Sequence, residues 1–380
     1  MAGDIAAERK RLKIAIDYRL ADEPGTSNRT YWEGLVNGLL RLENRDLFEL
    51  ILLTNGPSPK SEALAIQGLC RHFASKRMHG KLWSIFWLPK ACLTVGADLI
   101  HVQYTISPFM RTPAVTTIHD VSFFVCPEWF SKRDSVQLKT SVPMAAKKAR
   151  RVITVSEHAK SEIVRFTGTP PEKISVTPLA AQNGIHRVED HSVISEVLAR
   201  LGVQTPFLLS VGTLQRRKNW KLVLESFALA RKRIPNLQLV ITGPCRIDAS
   251  ELHSFSESLG TNNALVLAGS VSYADLAALY SEAKLLLHPS FYEGFGLTPL
   301  EAMCCGCPVV ASNTSSIPEV VQTFGRLIDG FEPTVWADSI VSTIGAAPAS
   351  IDRAIAHAET FTWKRTAKLT AQAYLEAIGR

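Results

Sequence analysis

Apolar residues fall along this chain in short runs separated by polar, helix-spaced stretches. The first runs are Leu12-Lys-Ile-Ala-Ile-Asp17, Phe48-Glu-Leu-Ile-Leu-Leu-Thr54 and Ala97-Asp-Leu-Ile-His-Val102. Ala114-Val-Thr-Thr-Ile-His119, Arg151-Val-Ile-Thr-Val155 and Ile174-Ser-Val-Thr-Pro178 follow. Runs this short predict strands, and strands alternating with helices predict a parallel sheet covered on both faces. Asn183-Gly184 signals a turn. Beyond it, 186–204 is mostly polar around one helical patch and reads as a crossing between domains. The pattern restarts at Phe207-Leu-Leu-Ser-Val-Gly212 and continues through Leu237–Gly243, Ala264–Gly269 and Leu285-Leu-Leu-His-Pro289. The expectation is α/β, with two doubly wound domains at 1–185 and 205–360 and an amphipathic helix over 361–380.

Composition adds bounds. A chain of 380 residues is long enough for two ordinary domains, and 46% hydrophobic with 20% charged residues describes a folded chain. No apolar run nears the roughly 20 residues that span a bilayer, and 1–11 lacks an apolar signal core, so the expected location is cytoplasmic. Seven cysteines show no paired framework, and Cys304-Cys305-Gly-Cys307 reads as small buried residues rather than a metal site. The charge is uneven: residues 1–185 hold 25 Lys and Arg against 17 Asp and Glu, while the rest is nearly balanced. A basic first half expects an acidic partner. Residues 71–90 carry five basic side chains, no acid and two tryptophans, which suits an anionic membrane face; the alternative is that Leu82, Phe86 and Trp87 pack a helix on the sheet.

Candidate chemistry concentrates in Glu293-Gly-Phe-Gly-Leu-Thr-Pro-Leu-Glu301. Gly294 and Gly296 permit close approach of backbone to a ligand. Thr298 fits a helix N-cap, Pro299 the first helical position and Glu301 the far end of a capping box. A helix entered from a glycine loop offers free N–H groups to phosphate, whereas the flanking carboxylates suit hydroxyls. The pair points to a ligand both anionic and polyhydroxylated, such as a nucleotide sugar; the alternative is a capped helix after a tight turn. In Val211-Gly212-Thr-Leu-Gln-Arg216-Arg217-Lys218-Asn219, cations stand on a loop between a strand and a helix, as a diphosphate site needs, or as a solvated turn does. His119 closes a strand, which places it at the ligand-binding edge of the sheet, though a lone histidine is as readily structural.

The two glutamates with seven residues between them, followed by Ala302-Met-Cys-Cys-Gly-Cys-Pro-Val-Val-Ala-Ser312, resemble the E-x7-E region of retaining glycosyltransferase family 4, which has the GT-B fold. Arg217-Lys218-Asn219 resembles that family's "RKN" loop, His119-Asp120 its "HD" segment and Val155-Ser-Glu-His158 its "VSxxS" segment. The resemblance is closest to bacterial mannosyltransferase-like members. It implies two Rossmann-like domains facing across a cleft, the first on the acceptor side and the second binding the nucleotide sugar, with the last helix crossing back to the first. It implies transfer of a hexose, mannose favoured, from a nucleotide diphosphate sugar to an acceptor hydroxyl, for an envelope polysaccharide or glycolipid. Arg217 and Lys218 would hold the diphosphate and Glu301 the ribose. Glu293 and the backbone at Phe295, Gly296 and Leu297 would hold the sugar, with His119 beside it. Gly25 stands where the family has a turn against phosphate and acceptor. With no Asp-x-Asp motif, no metal or other cofactor is expected, and no nucleic acid partner. The acceptor is expected to be a glycan or lipid-linked, met at the inner membrane face. A nucleotide-sugar epimerase of the same fold, or a catalytically idle binding partner, remain alternatives.

Overall fold

In the computed structural model, which describes residues 11–22, 27–245, 247, 249–346 and 351–379, every apolar run named above becomes a strand. The first sheet holds β1 (Leu12–Asp17), β2 (Phe48–Asn55), β3 (Arg71–Ser75), β4 (Leu99–Gln103), β5 (Ala114–Thr117), β6 (Arg151–Thr154) and β7 (Ile174–Val176). Their spatial order is β3-β2-β1-β4-β5-β6-β7. Pairing is parallel throughout, with Ile14 opposite both Leu50 and Leu99. All residues of β4 and β5 are buried, which explains why they read as continuous runs without a polar face.

The second sheet holds β8 (Phe207–Val211), β9 (Gln238–Thr242), β10 (Leu265–Gly269), β11 (Leu285–His288), β12 (Val309–Ser312) and β13 (Arg326–Ile328). Its order is β10-β9-β8-β11-β12-β13, again parallel. Each sheet reverses its winding once, at β1/β4 in the first and at β8/β11 in the second. Ligands of open parallel sheets bind beyond the carboxyl ends of the strands at such points.

The chain divides into two units, one of 1–155, 160–178 and 363–380 and the other of 156–159 and 179–362. The segment 186–204 is not a bare connection. It carries a helix, His191–Leu201, whose Asp190 caps the Ser192 N–H and whose Ile194, Val197 and Leu198 are buried. That stripe packs on the helix Tyr273–Glu282, and Arg200 pairs with Asp275 at 2.6 Å, so the segment is integral to the second unit. Its polar composition reflects an exposed outer face rather than a linker.

The last helix, Trp363–Ala377, packs with the first unit against the helix Ser27–Leu40. Two glycines permit the approach. A Cβ on Gly34 would lie 2.1 Å from the Trp363 ring, and one on Gly38 would lie 2.5 Å from the Trp363 carbonyl oxygen.

The basic aromatic stretch 71–90 splits by face. Trp83 is fully buried and stacks on Trp87, which stacks on Phe73. Leu82 and Phe86 point outward instead of packing on the sheet, at 53% and 57% exposure. Phe86 stacks with the equally exposed Phe109 at 5.5 Å between ring centres. The five-residue turn Trp83–Trp87 is a π-helix, whose wider spacing sends the two tryptophans inward and the phenylalanine out.

Candidate active site

The loops after β8 and β11 leave the second sheet side by side at its reversal. After β8 the chain turns at Gly212, with φ +124°, and a Cβ there would stand 3.0 Å from the Lys218 side chain. Gly243 is equally required, because its Cβ would meet the Gly212 carbonyl oxygen at 2.3 Å. A single 3-10 turn, Arg216–Lys218, then leads through the left-handed Asn219 into the helix Trp220–Arg231. The Phe291 N–H donates to the Arg217 carbonyl at 3.0 Å and ties the two loops together.

This tie brings the sequence-distant charges into one cluster. Lys218 Nζ lies 2.8 Å from Glu293 Oε1, and Arg217 Nη1 lies 3.3 Å from Glu293 Oε2. His288 Nε2, at the end of β11, is 3.4 Å from the same carboxylate. Burial alone would raise the Glu293 pKa, but Arg217 and Lys218 outweigh it and hold the carboxyl well below its usual range. Burial, aided by Lys218, pulls His288 down to about 4, so its imidazole is neutral at pH 7. Burial also lowers Lys218, with Glu293 opposing. Arg217 and Lys218, expected to face a diphosphate, therefore share one buried counter-charge.

Hydroxyls fix the loop that carries Glu293. Its N–H donates to Ser315 Oγ at 2.9 Å, and its carbonyl accepts from Ser316 Oγ at 2.8 Å. Ser156 Oγ donates to the Gly294 carbonyl at 2.8 Å and accepts from the Ala159 N–H. The "VSxxS" serine thus both caps its helix and pins the glycine loop.

The helix begins two residues before its expected start. It runs Leu297–Cys304, with Gly296 as N-cap at φ +109° and no side-chain cap bond. Thr298 lies inside the first turn, and Glu301 does not close a capping box. A left-handed N-cap is open to glycine at little cost, so Gly296 starts the helix before threonine can. Phe295 is buried, 5.9 Å from the Phe361 ring, and Leu297 is half-buried. Glu301, 7% exposed, faces Tyr280 and the Gln182 N–H. Burial pushes its carboxyl up to about 8 against the opposing pull of Lys218 and Tyr280. Two glutamates eight positions apart thus sit in opposite electrostatic states.

In the first unit, His119 stands two residues past β5 and is half-buried. The Gln103 amide lies 2.9 Å from its Nε2, and the Tyr31 ring meets it edge-on at 4.7 Å. Burial pulls its pKa down to about 4, so it too is neutral at pH 7. Gly25 lies outside the described residues. Sequence reasoning missed His288, Ser315, Ser316 and Tyr280. The strand-end rule that selected His119 also selects His288.

Comparison with known proteins agrees with this architecture. Residues 199–344 match the family described as glycosyl transferases group 1, and residues 30–181 match glycosyltransferase family 4. The O-antigen chain mannosyltransferase B of Escherichia coli is 31% identical over 274 residues, spanning 70% of this chain and 71% of that protein. A D-inositol 3-phosphate glycosyltransferase of Paenarthrobacter aurescens is 29% identical over 60% of this chain and 58% of its own. Anabaena HepE, solved in complex with UDP and glucose, superposes with a TM-score of 0.72 at 21% identity, covering 96% of this chain and 99% of its own. The sucrose-phosphate synthase of Thermosynechococcus elongatus superposes with a TM-score of 0.74 at 20% identity, covering 97% of this chain and all of its own. The two parallel sheets, the matched family regions and the mannosyltransferase relative establish that the chain is a glycosyltransferase of the GT-B fold and belongs to glycosyltransferase family 4.

Proposed function

We propose that this protein transfers a hexose, mannose in the first instance, from a nucleotide diphosphate sugar to an acceptor hydroxyl with retention at the anomeric carbon. The observation that carries this reading is the buried cluster of Arg217 and Lys218 on Glu293, at the reversal of the second sheet. Two cations held on one carboxylate are already oriented before an anion arrives, so little is lost in ordering them. As the bond from the anomeric carbon to the diphosphate oxygen breaks, negative charge grows on the leaving group where these cations lie. The new bond forms to the acceptor oxygen on the same face, and the acceptor proton passes to the leaving phosphate. Glu301 takes the ribose hydroxyls, Glu293 and the backbone of Phe295 to Leu297 take the sugar, and neutral His119 is a hydrogen-bonding partner for it. The E. coli relative's mannosyltransferase name supports the choice of sugar, and the HepE complex supports a nucleotide-linked donor.

Arg217 and Lys218 supply the positive charge that a metal ion supplies elsewhere, so we assign no metal to the reaction. The acceptor is a glycan or lipid-linked saccharide approached at an anionic membrane face. Leu82, Phe86, Leu93 and Phe109 are exposed among the exposed Lys76, Arg77, Lys81, Lys90 and Arg111. Each basic residue near an anionic leaflet contributes about 1 kcal/mol, so binding is salt-sensitive. No helix among the described residues is long and apolar enough to cross a membrane.

The test is a thermal-shift screen of nucleotide diphosphate sugars, since a ligand of the native state raises the melting temperature. Proton NMR of the product then reads the anomeric configuration. A nucleotide diphosphate mannose should give the largest shift, and transfer should survive excess chelator. Absence of any shift across the panel would overturn the reading. The wild type should sediment with anionic vesicles at low salt, and Lys76, Arg77 and Lys81 changed to Glu should abolish this.

A further inference from the structure

A chain of buried neutral groups runs through the first unit and ends against His119. Tyr374, on the last helix, places its hydroxyl 2.7 Å from His101 Nδ1. The other ring nitrogen, Nε2, lies 2.7 Å from Thr117 Oγ1. The Tyr31 hydroxyl, from the helix Ser27–Leu40, lies 2.8 Å from the same Thr117 oxygen. Each of the four residues is at most 1% exposed. Tyr31 then sets its ring edge-on to His119, whose Nε2 is engaged by Gln103. The imidazole of His119 is thus held on one side by a ring and on the other by an amide.

An apolar core would stabilise the last helix as well without four desolvated polar groups, because buried polar atoms cost free energy unless every one is matched. What a hydrogen-bonded chain adds is direction. His101 has one ring proton to give, since burial pulls its pKa down to about 3. The Thr117 hydroxyl has one proton for two neighbours. Each donor choice constrains the next, and the Tyr31 ring is fixed in rotation about its axis and in height above His119.

From this geometry we infer that Tyr31, Thr117, His101 and Tyr374 form a positioning relay by which the C-terminal helix sets the orientation of His119. The inference rests on the reading of His119 as a contact of the donor sugar. Gly34 and Gly38 belong to the same device, because their missing side chains let Trp363 seat the helix at the depth that brings Tyr374 to His101.

The experiment combines steady-state kinetics with imidazole nitrogen spectra of histidine-labelled protein, on wild type and on Tyr31→Phe, Tyr374→Phe, Thr117→Val, Thr117→Ser and His119→Asn. Displacing a group near the reacting atoms by a fraction of an ångström predicts a kcat loss of about tenfold in the two Phe variants, with the donor KM within about twofold of wild type. The His119 ring resonances should move in both Phe variants, although Tyr374 does not touch that ring. Thr117→Val should reproduce both effects and Thr117→Ser should restore them. Adding Tyr31→Phe to His119→Asn should lower kcat no further. Unchanged His119 resonances in both Phe variants would overturn the relay, whatever the kinetics. Wild-type turnover in His119→Asn would instead overturn the sugar contact, and the spectra would still decide the relay.

Discussion

A buried polar cluster in each unit is built in the opposite way. The second concentrates charge, with Glu293 ionised between Arg217 and Lys218. The first places a chain of neutral buried groups, from Tyr374 to Tyr31, behind a neutral His119. A buried ion pair is a weak source of stability, since the desolvation of both partners offsets their attraction. It is well suited to meeting a charged ligand, because its cations are already in place. A neutral network meets no charge and is insensitive to salt, so what it offers is fixed geometry. On the function proposed above, leaving-group electrostatics would fall to the charged cluster and orientation of a sugar contact to the neutral one.

The largest effect expected comes from breaking the charged side. Changing Arg217 and Lys218 together to Ala removes two charge-assisted contacts, each worth about 1.5–3 kcal/mol of nucleoside diphosphate affinity. It also strands Glu293, and an uncompensated buried charge costs about 3–5 kcal/mol of stability. Adding Glu293→Gln should recover much of the stability and none of the affinity. Urea unfolding and titration calorimetry read the two quantities separately. Loss of affinity that returns with the third change would assign the cations to Glu293 alone.

Next is Gly34→Ala. The added methyl would overlap the Trp363 ring, and overpacking of this kind costs about 1–3 kcal/mol. The helix Trp363–Ala377 should exchange amide hydrogens faster, while nucleotide binding by the second unit keeps its affinity. Equal damage to nucleotide binding would remove the separation of roles drawn above.

The two glutamates sharpen the comparison through pH. Glu301 holds its proton to about 8, whereas an unfolded glutamate releases it near 4.5. Between those values the folded state binds more protons than the unfolded, so stability falls as pH rises, by at most roughly 1.4 kcal/mol per pH unit. Glu301→Gln should flatten melting curves taken from pH 5 to 8. Glu293 has the opposite sign. Its folded pKa is depressed, so its contribution is full above the unfolded value and disappears as pH falls through the folded one. The penalty of Glu293→Gln should therefore shrink in acid. Parallel pH profiles for the two variants would refute their assignment to opposite states.

The smallest effect belongs to the neutral side. Tyr374→Phe removes one hydroxyl hydrogen bond, worth about 1 kcal/mol, and leaves His101 Nδ1 unmatched. Chemical denaturation should show the same loss at every pH from 7 to 9, because no member of the chain changes charge there. His101 gives pH dependence only in acid. Its folded pKa, near 3, lies below the unfolded value, so stability declines as pH drops below 6.5.

Much of this architecture was written locally. Apolar runs buried on both faces read as strands of a covered parallel sheet at β4, β5 and β11 from sequence alone, because burial of both faces removes the alternation of an exposed strand. Arg217, Lys218 and Glu293 could be singled out as candidates because their loops follow strands, where such folds bind ligands, and Glu301 because its helix starts from the second of those loops. The helix start was legible only to within two residues. Thr298 has the chemistry of a cap, but the positive φ at Gly296 depends on how the loop is pinned by Ser315, Ser316 and Ser156. Tertiary structure alone decided which polar groups pair. Lys218 and Glu293 are 75 positions apart, and His101 and Tyr374 are 273 apart. A carboxylate's state depends on the cations and the water around it, which spacing in the chain does not encode. Glu293 and Glu301 are the same residue type on one short stretch, and only the packing around each makes one an ion and the other an acid.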